Sequence, residues 1–133
     1  MEQLLSAERR VTRVLVVEDE PVNNRLFEAT LRKNGFDVTT VFDGELALDL
    51  VEKCEREGSP FDAIVMDVML PRLSGLDATR ALRDSGFDGR IVAVSALHDC
   101  RQECLDAGCD DFLGKPFPPA ELLRALGLTD QVD

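Results

Sequence analysis

No apolar run in these 133 residues approaches the roughly 20 needed to cross a bilayer. The opening Met1-Glu2-Gln3-Leu4-Leu5 also lacks the basic region and long apolar core of a secretory signal. Together these absences lead us to expect a cytoplasmic chain with no membrane partner. In that compartment Cys54, Cys100, Cys104 and Cys109 need no disulfides. They form no paired C-x-x-C knuckle, even with His98 close by, so a zinc site lacks its usual ligand pattern. Free thiols of this kind read as small buried hydrophobes. Basic residues are scarce: 15 Lys and Arg stand against 26 Asp and Glu, for a net charge of −11. A surface so acidic repels nucleic acid and anionic lipid, which excludes direct nucleic-acid binding. Most of the excess reads as a solvated exterior, and the rest is available for a cation pocket. Neither an internal repeat nor a low-complexity tract is present.

What the chain does have is an ordinary core-forming composition, 44% hydrophobic and 31% charged, in a length that suits one domain. Strand-like and helix-like patterns alternate five times along it. Val14-Leu15-Val16-Val17, Phe36 to Val41, Ala63-Ile64-Val65-Met66, Ile91-Val92-Ala93-Val94 and Phe112-Leu113-Gly114 are the strand-like runs. Between them, Val22, Leu26, Ala29 and Thr30 mark a first helix, and Leu46, Ala47, Leu50, Val51 and Cys54 a second. Leu76, Ala78, Thr79 and Leu82 mark a third, Asp99 to Ala107 form a fourth, and Leu122, Leu123 and Leu126 stripe a fifth. Nearly all-apolar strands separated by amphipathic helices imply a parallel sheet covered on both faces. Thr39 and Thr40 make the second strand the most polar and place it at an edge. The fold class expected is therefore α/β, a flavodoxin-like (βα)5 three-layer sandwich with a parallel five-stranded sheet of order 2-1-3-4-5. The domain occupies residues 11–127, between an N-terminal extension at 1–10 and a C-terminal tail at 128–133.

In such a sheet the C-terminal ends of all strands lie along one edge, where ligand crevices form at the switch in strand order. Glu18-Asp19-Glu20, Asp67, Ser95 and Lys115 follow four of the strands. Acidic residues before a helix can simply cap it. Three carboxylates converging from two strand ends, however, repel one another and call for a cation. Mg²⁺ suits such oxygen donors: Asp19 and Asp67 are the expected direct ligands, Glu18 acts through water, and the backbone carbonyl of Met69 completes the set. Beside this crevice Lys115 can pair with Asp67 or meet a phosphoryl oxygen. Ser95 can either satisfy a backbone group or donate its hydroxyl to that oxygen.

These residues resemble the receiver domain of two-component response regulators. The matching segments are Val16-Val17-Glu18-Asp19, Met66-Asp67-Val68-Met69-Leu70-Pro71 with Ser74-Gly75, Ser95-Ala96, and Gly114-Lys115-Pro116-Phe117. The resemblance implies that Asp67 is a phosphoacceptor, taking a phosphoryl group from phosphohistidine with Mg²⁺ at Glu18, Asp19 and Asp67. It implies further that Lys115, Ser95 and the backbone amide of Ala96 stabilise that group, and that Ser95 and Phe112 form the switch, the ring turning inward as the hydroxyl moves. The partners implied are a sensor histidine kinase or a histidine phosphotransfer protein, and an unknown downstream protein or output domain. A homodimer through the fourth and fifth helices stays open. The domain would then be a signalling switch rather than an enzyme.

Three features depart from the usual pattern of that family. Glu18 replaces the commoner aspartate, a variation met in receivers of hybrid sensor kinases, which the Cys104-Leu105-Asp106-Ala107-Gly108 stretch also resembles. Phe112 has no hydroxyl where tyrosine is common. Ser95 and Lys115 stand 20 residues apart, closer than usual, with the shortening between Ala96 and the fourth helix. Competing readings are a Mg²⁺-dependent phosphatase with an aspartyl-phosphate intermediate and a docking-only pseudo-receiver. The phosphatase class has a second aspartate two residues after the nucleophile, where this chain has Met69; the pseudo-receiver is at odds with the complete set of Asp19, Asp67, Ser95 and Lys115.

Overall fold

The computed structural model describes residues 12–127; the expected extension at 1–10 and the tail at 128–133 lie outside the described residues. Five strands and five helices alternate. They run β1 (Arg13–Val17), α1 (Pro21–Lys33), β2 (Asp37–Val41), α2 (Gly44–Arg56), β3 (Ala63–Asp67), α3 (Gly75–Asp84), β4 (Arg90–Ser95), α4 (Arg101–Ala107), β5 (Asp111–Gly114) and α5 (Pro119–Ala125). The sheet is parallel with the order β2-β1-β3-β4-β5, as the polarity of Thr39 and Thr40 required. Among the described residues no helix is long and apolar enough to cross a membrane.

Strand side chains alternate between two cores, because successive residues of a strand face opposite sides of the sheet. Leu15, Val17, Ile64, Met66, Ile91 and Ala93 point towards α2, α3 and α4, where Ala47, Val51, Ala78, Leu82 and Cys104 meet them. Val14, Val16, Val65, Val92 and Val94 point the other way, to Phe27 and Leu31 of α1 and Leu122, Leu123 and Leu126 of α5. All four cysteines are free and buried, as their reading as small hydrophobes anticipates. Burial, with Cys100 and Cys109 nearby, pushes the Cys104 thiol up to about 12, so it carries no thiolate at neutral pH.

The buried stripe of α1 differs from the expected one. Val22 and Leu26 are 71% and 55% exposed, and the residues facing the sheet are Asn24, Phe27 and Leu31. Both sets have helical spacing, so periodicity alone cannot choose between them. Phe27 decides, because its ring stacks on Phe117 with centroids 5.5 Å apart and buries more apolar area than Val22 would. Asn24 is carried inward on the same face and is satisfied there: its side-chain amide donates to the carbonyls of Glu18 and Val41. Of the stripe expected for α2, Ala47, Val51 and Cys54 are buried, while Leu46 faces solvent.

Gly75 opens α3 against the segment that follows β3. A Cβ there would stand 2.1 Å from the Asp67 carbonyl oxygen and 2.8 Å from the Val68 Cα. These are backbone atoms and cannot rotate away. Gly75→Ala should therefore destabilise the fold by about 2–3 kcal/mol, the range of an overpacked core. A urea midpoint equal to that of the unmodified protein would show that the helix start can shift without cost.

Candidate functional site

Strand register places the polar residues before any side chain is considered. Val17 pairs with Met66, so Glu18 and Asp67 emerge level with each other at the β1–β3 switch point. Asp67 pairs with Val94, one step short of Ser95, and Ser95 pairs with Gly114, one step short of Lys115. Residues from four segments thus reach one edge of the sheet. Carboxylate oxygens of Glu18, Asp19 and Asp67 lie within 4.8 Å of one another, the one such acidic or metal-ligating group among the described residues.

Glu18, Asp67 and Lys115 have partners that orient them. Lys115 reaches across the crevice, its Nζ 2.9 Å from Glu18 Oε1 and 3.3 Å from Asp67 Oδ2. The other oxygen of Glu18 accepts from the Glu20 backbone N–H at 3.1 Å, and that of Asp67 from the Met69 N–H at 3.0 Å. Capping of α1 falls to Glu20, which accepts from the N–H groups of Val22 and Asn23. The capping role open to the acidic triplet is therefore confined to its last member. Glu18 is fully buried and Asp67 nearly so. Burial chiefly pushes the Glu18 carboxyl up to about 7, Asp67 adds to the rise, and Lys115 opposes it. Burial alone would depress the Lys115 ammonium, but Glu18 and Asp67 hold it above its ordinary value.

Three carboxylates facing a single ammonium leave the crevice short of positive charge. The donors are all hard oxygens, with no thiolate or imidazole among them. That chemistry fits a hard divalent cation and does not fit zinc or copper.

Ser95 is fully buried and its Oγ accepts from the Leu97 N–H at 3.0 Å. The hydroxyl therefore satisfies a loop backbone group in this conformation while keeping its own hydrogen free to donate. Phe112 is already inward: it is 4% exposed, packs with the core that includes Cys100, Cys104 and Cys109, and lies under the Arg101 guanidinium, 5.7 Å from the ring centroid. The inward ring and the loop-bonded Ser95 coexist in this conformation. Lys115-Pro116 is a cis peptide. His98, considered with the cysteines, instead has its Nε2 2.7 Å from the Lys115 carbonyl oxygen.

One residue that organises the site, Asn24, was not singled out from sequence; it bonds the backbone at the end of β1. Gly75, part of the matching Ser74-Gly75 segment, allows α3 to press on Asp67. The signal for Asn24 was its position at i−3 from Phe27 and i−7 from Leu31.

Comparison with known proteins agrees with this geometry. Residues 14–127 match the family described as the response regulator receiver domain. A hybrid signal transduction histidine kinase of Dictyostelium discoideum is 37% identical over 120 residues, covering 86% of this chain and 7% of that protein. The response regulator MprA of Mycolicibacterium vanbaalenii is 42% identical over 116 residues, covering 86% of this chain and 48% of that one. The chain thus spans less than half the length of either relative. Among solved structures, the receiver domain of the Pseudomonas aeruginosa sensor histidine kinase PA1611, with magnesium coordinated in its active-site cleft, is 43% identical with a TM-score of 0.76, over 88% of this chain and 95% of that one.

Proposed function

Because the chain belongs to the response regulator receiver domain family, we propose that Asp67 is its phosphoacceptor, in a unit running from residue 11 to 127. The domain is a signalling switch rather than a conventional enzyme. The carrying observation is the placement of Lys115 Nζ between Glu18 and Asp67, which puts a nucleophilic carboxylate beside a fixed cation.

Phosphoryl transfer asks little covalent help of a protein; it asks for in-line positioning and for neutralised equatorial oxygens. An Asp67 oxygen attacks phosphorus, the P–N bond of a phosphohistidine donor breaks, and the departing imidazole takes a proton from solvent. Asp67 needs no general base because its attacking form is the carboxylate. The Met69 N–H holds one of its oxygens and Lys115 the other, which limits rotation of the carboxylate. Lys115 faces the incoming charge, and the Ser95 hydroxyl and Ala96 amide stand at the neighbouring strand end to meet it. Contacts made by Ser95 only after transfer bias the loop that follows β4, which is how a local charge change becomes a signal. Asp19 and Asp67 would hold Mg²⁺ directly, with the Met69 carbonyl and, through water, Glu18. When bound, that ion neutralises the phosphoryl oxygens.

The partner that supplies phosphorus is a sensor histidine kinase or a histidine phosphotransfer protein. Similarity to receivers of histidine kinases, together with Glu18, favours a receiver of hybrid-kinase type. An output domain or downstream protein reads the switch.

Incubation with phosphoramidate or acetyl phosphate should add one phosphoryl mass, seen by intact-protein mass spectrometry, when Mg²⁺ is present. Chelation should remove the gain. A protein that stays unlabelled with both donors at saturating Mg²⁺ would refute the phosphoacceptor role.

A further inference from the structure

The β4–β5 ladder ends where Ser95 pairs with Gly114, and both phosphoryl-facing groups lie at or beyond that point. Something else must hold the following loop to Lys115. Backbone bonding continues for one step, the Lys115 N–H donating to the Ser95 carbonyl at 2.8 Å. The next tie comes from the chain's single histidine. His98 Nε2 lies 2.7 Å from the Lys115 carbonyl oxygen, and because a carbonyl only accepts, Nε2 carries the hydrogen. The ring also lies on Gly114: a Cβ there would stand 2.9 Å from its Cδ2 and 3.1 Å from its Cγ and Nε2. Both polar groups of the Lys115 backbone are thus held by β4 and the loop after it. Two residues further on, the Cys100 thiol donates to the Leu97 carbonyl, and Arg101 donates to the Phe112 carbonyl.

We infer that His98 is a positioning residue for phosphoryl transfer, joining the loop that carries Ala96 to the strand end that carries Lys115 so that the two sides of the phosphoryl site keep a fixed separation. The inference rests on the phosphoacceptor reading of Asp67. It accounts for the short Ser95-to-Lys115 interval, since a shortened loop lets a residue three places after Ser95 reach the Lys115 carbonyl. Small displacements of catalytic groups cost rate steeply, so a single tether at this point has leverage.

The glycine contact supplies a test that a merely structural histidine would not pass. His98→Ala in the full chain should lower the phosphorylation rate with phosphoramidate at saturating Mg²⁺ by about tenfold, and His98→Gln, which keeps an N–H donor, should recover most of it. Gly114→Ala should give a similar loss by displacing the ring, and the double variant His98→Ala/Gly114→Ala should lose no more than either single one. In the resting protein without donor, amide exchange at Leu97 and Lys115 should quicken about tenfold in both single variants, while Mg²⁺ affinity stays within about twofold. Unchanged rates and unchanged exchange in His98→Ala, or losses that add in the double variant, would overturn the tether. A wild-type protein that takes no phosphoryl group would instead overturn the phosphoacceptor reading, and the positioning role with it.

Discussion

Asp67→Asn should abolish phosphoryl labelling, with a loss of at least about a thousandfold in rate, since the chemical step loses its nucleophile. The substitution is nearly isosteric. An asparagine oxygen can still accept from the Met69 N–H, which in the native protein lies 3.0 Å from Asp67 Oδ1. What disappears is the negative charge and, with it, the capacity to attack phosphorus. The fold should survive, because Asp67 sits beside two other carboxylates and its neutralisation relieves repulsion at the same time as it weakens one ion pair with Lys115. Thermal unfolding should show a change of about 1 kcal/mol or less. Intact-mass measurement after phosphoramidate treatment checks the result directly. Undiminished labelling of the variant would move the acceptor to another residue and dissolve the roles assigned around it.

Lys115→Met should separate charge from packing. Methionine keeps an unbranched apolar stem but removes the ammonium that Glu18 and Asp67 share. Phosphorylation should slow by about a hundredfold, the scale of losing one preorganised electrostatic partner of the transferred group. Stability without divalent cations should fall by about 3 kcal/mol, because buried carboxylates left without a counter-charge are costly. Adding Mg²⁺ should restore much of that loss, since a ligand bound only by the folded state stabilises it by mass action. Mg²⁺ should also bind more tightly than in the native protein, as a competing positive charge has gone. The two directions are the test: slower transfer with tighter metal binding. A variant that labels at the native rate would show that Lys115 serves the fold alone.

The layered architecture was readable because burial on two faces writes itself into composition. Val14 to Val17 and Ile91 to Val94 are apolar at every position, which only a sheet covered on both sides explains. Thr39 and Thr40 marked the edge for the complementary reason. Glu18, Asp67, Ser95 and Lys115 were legible as a group because parallel strands deliver their C-terminal ends to one side, so residues distant in sequence become neighbours by topology alone.

Helix faces were less legible. Val22 and Leu26 have the same spacing as a core stripe, yet the sheet took Asn24, Phe27 and Leu31. Periodicity identifies a helix but leaves its rotation about its own axis undetermined when polar and apolar residues mix on both sides. Asn24 shows why: its amide is acceptable inside only because two strand-end carbonyls happen to be there to receive it. The same limit hid the reach of His98, whose role depends on a contact across 17 residues with a backbone atom that has no sequence signature.

From its residues alone, then, this chain specified strand order, the edge that gathers its carboxylates and the cation chemistry they demand, because hydrophobic pattern and crossover handedness leave few arrangements. Tertiary packing chose the rotation of α1, the pairing of Lys115 with both carboxylates, the loop bond of Ser95 and the inward seat of Phe112. Those choices turn on interatomic distances of a few ångströms between segments far apart in the chain, and only the assembled core sets such distances.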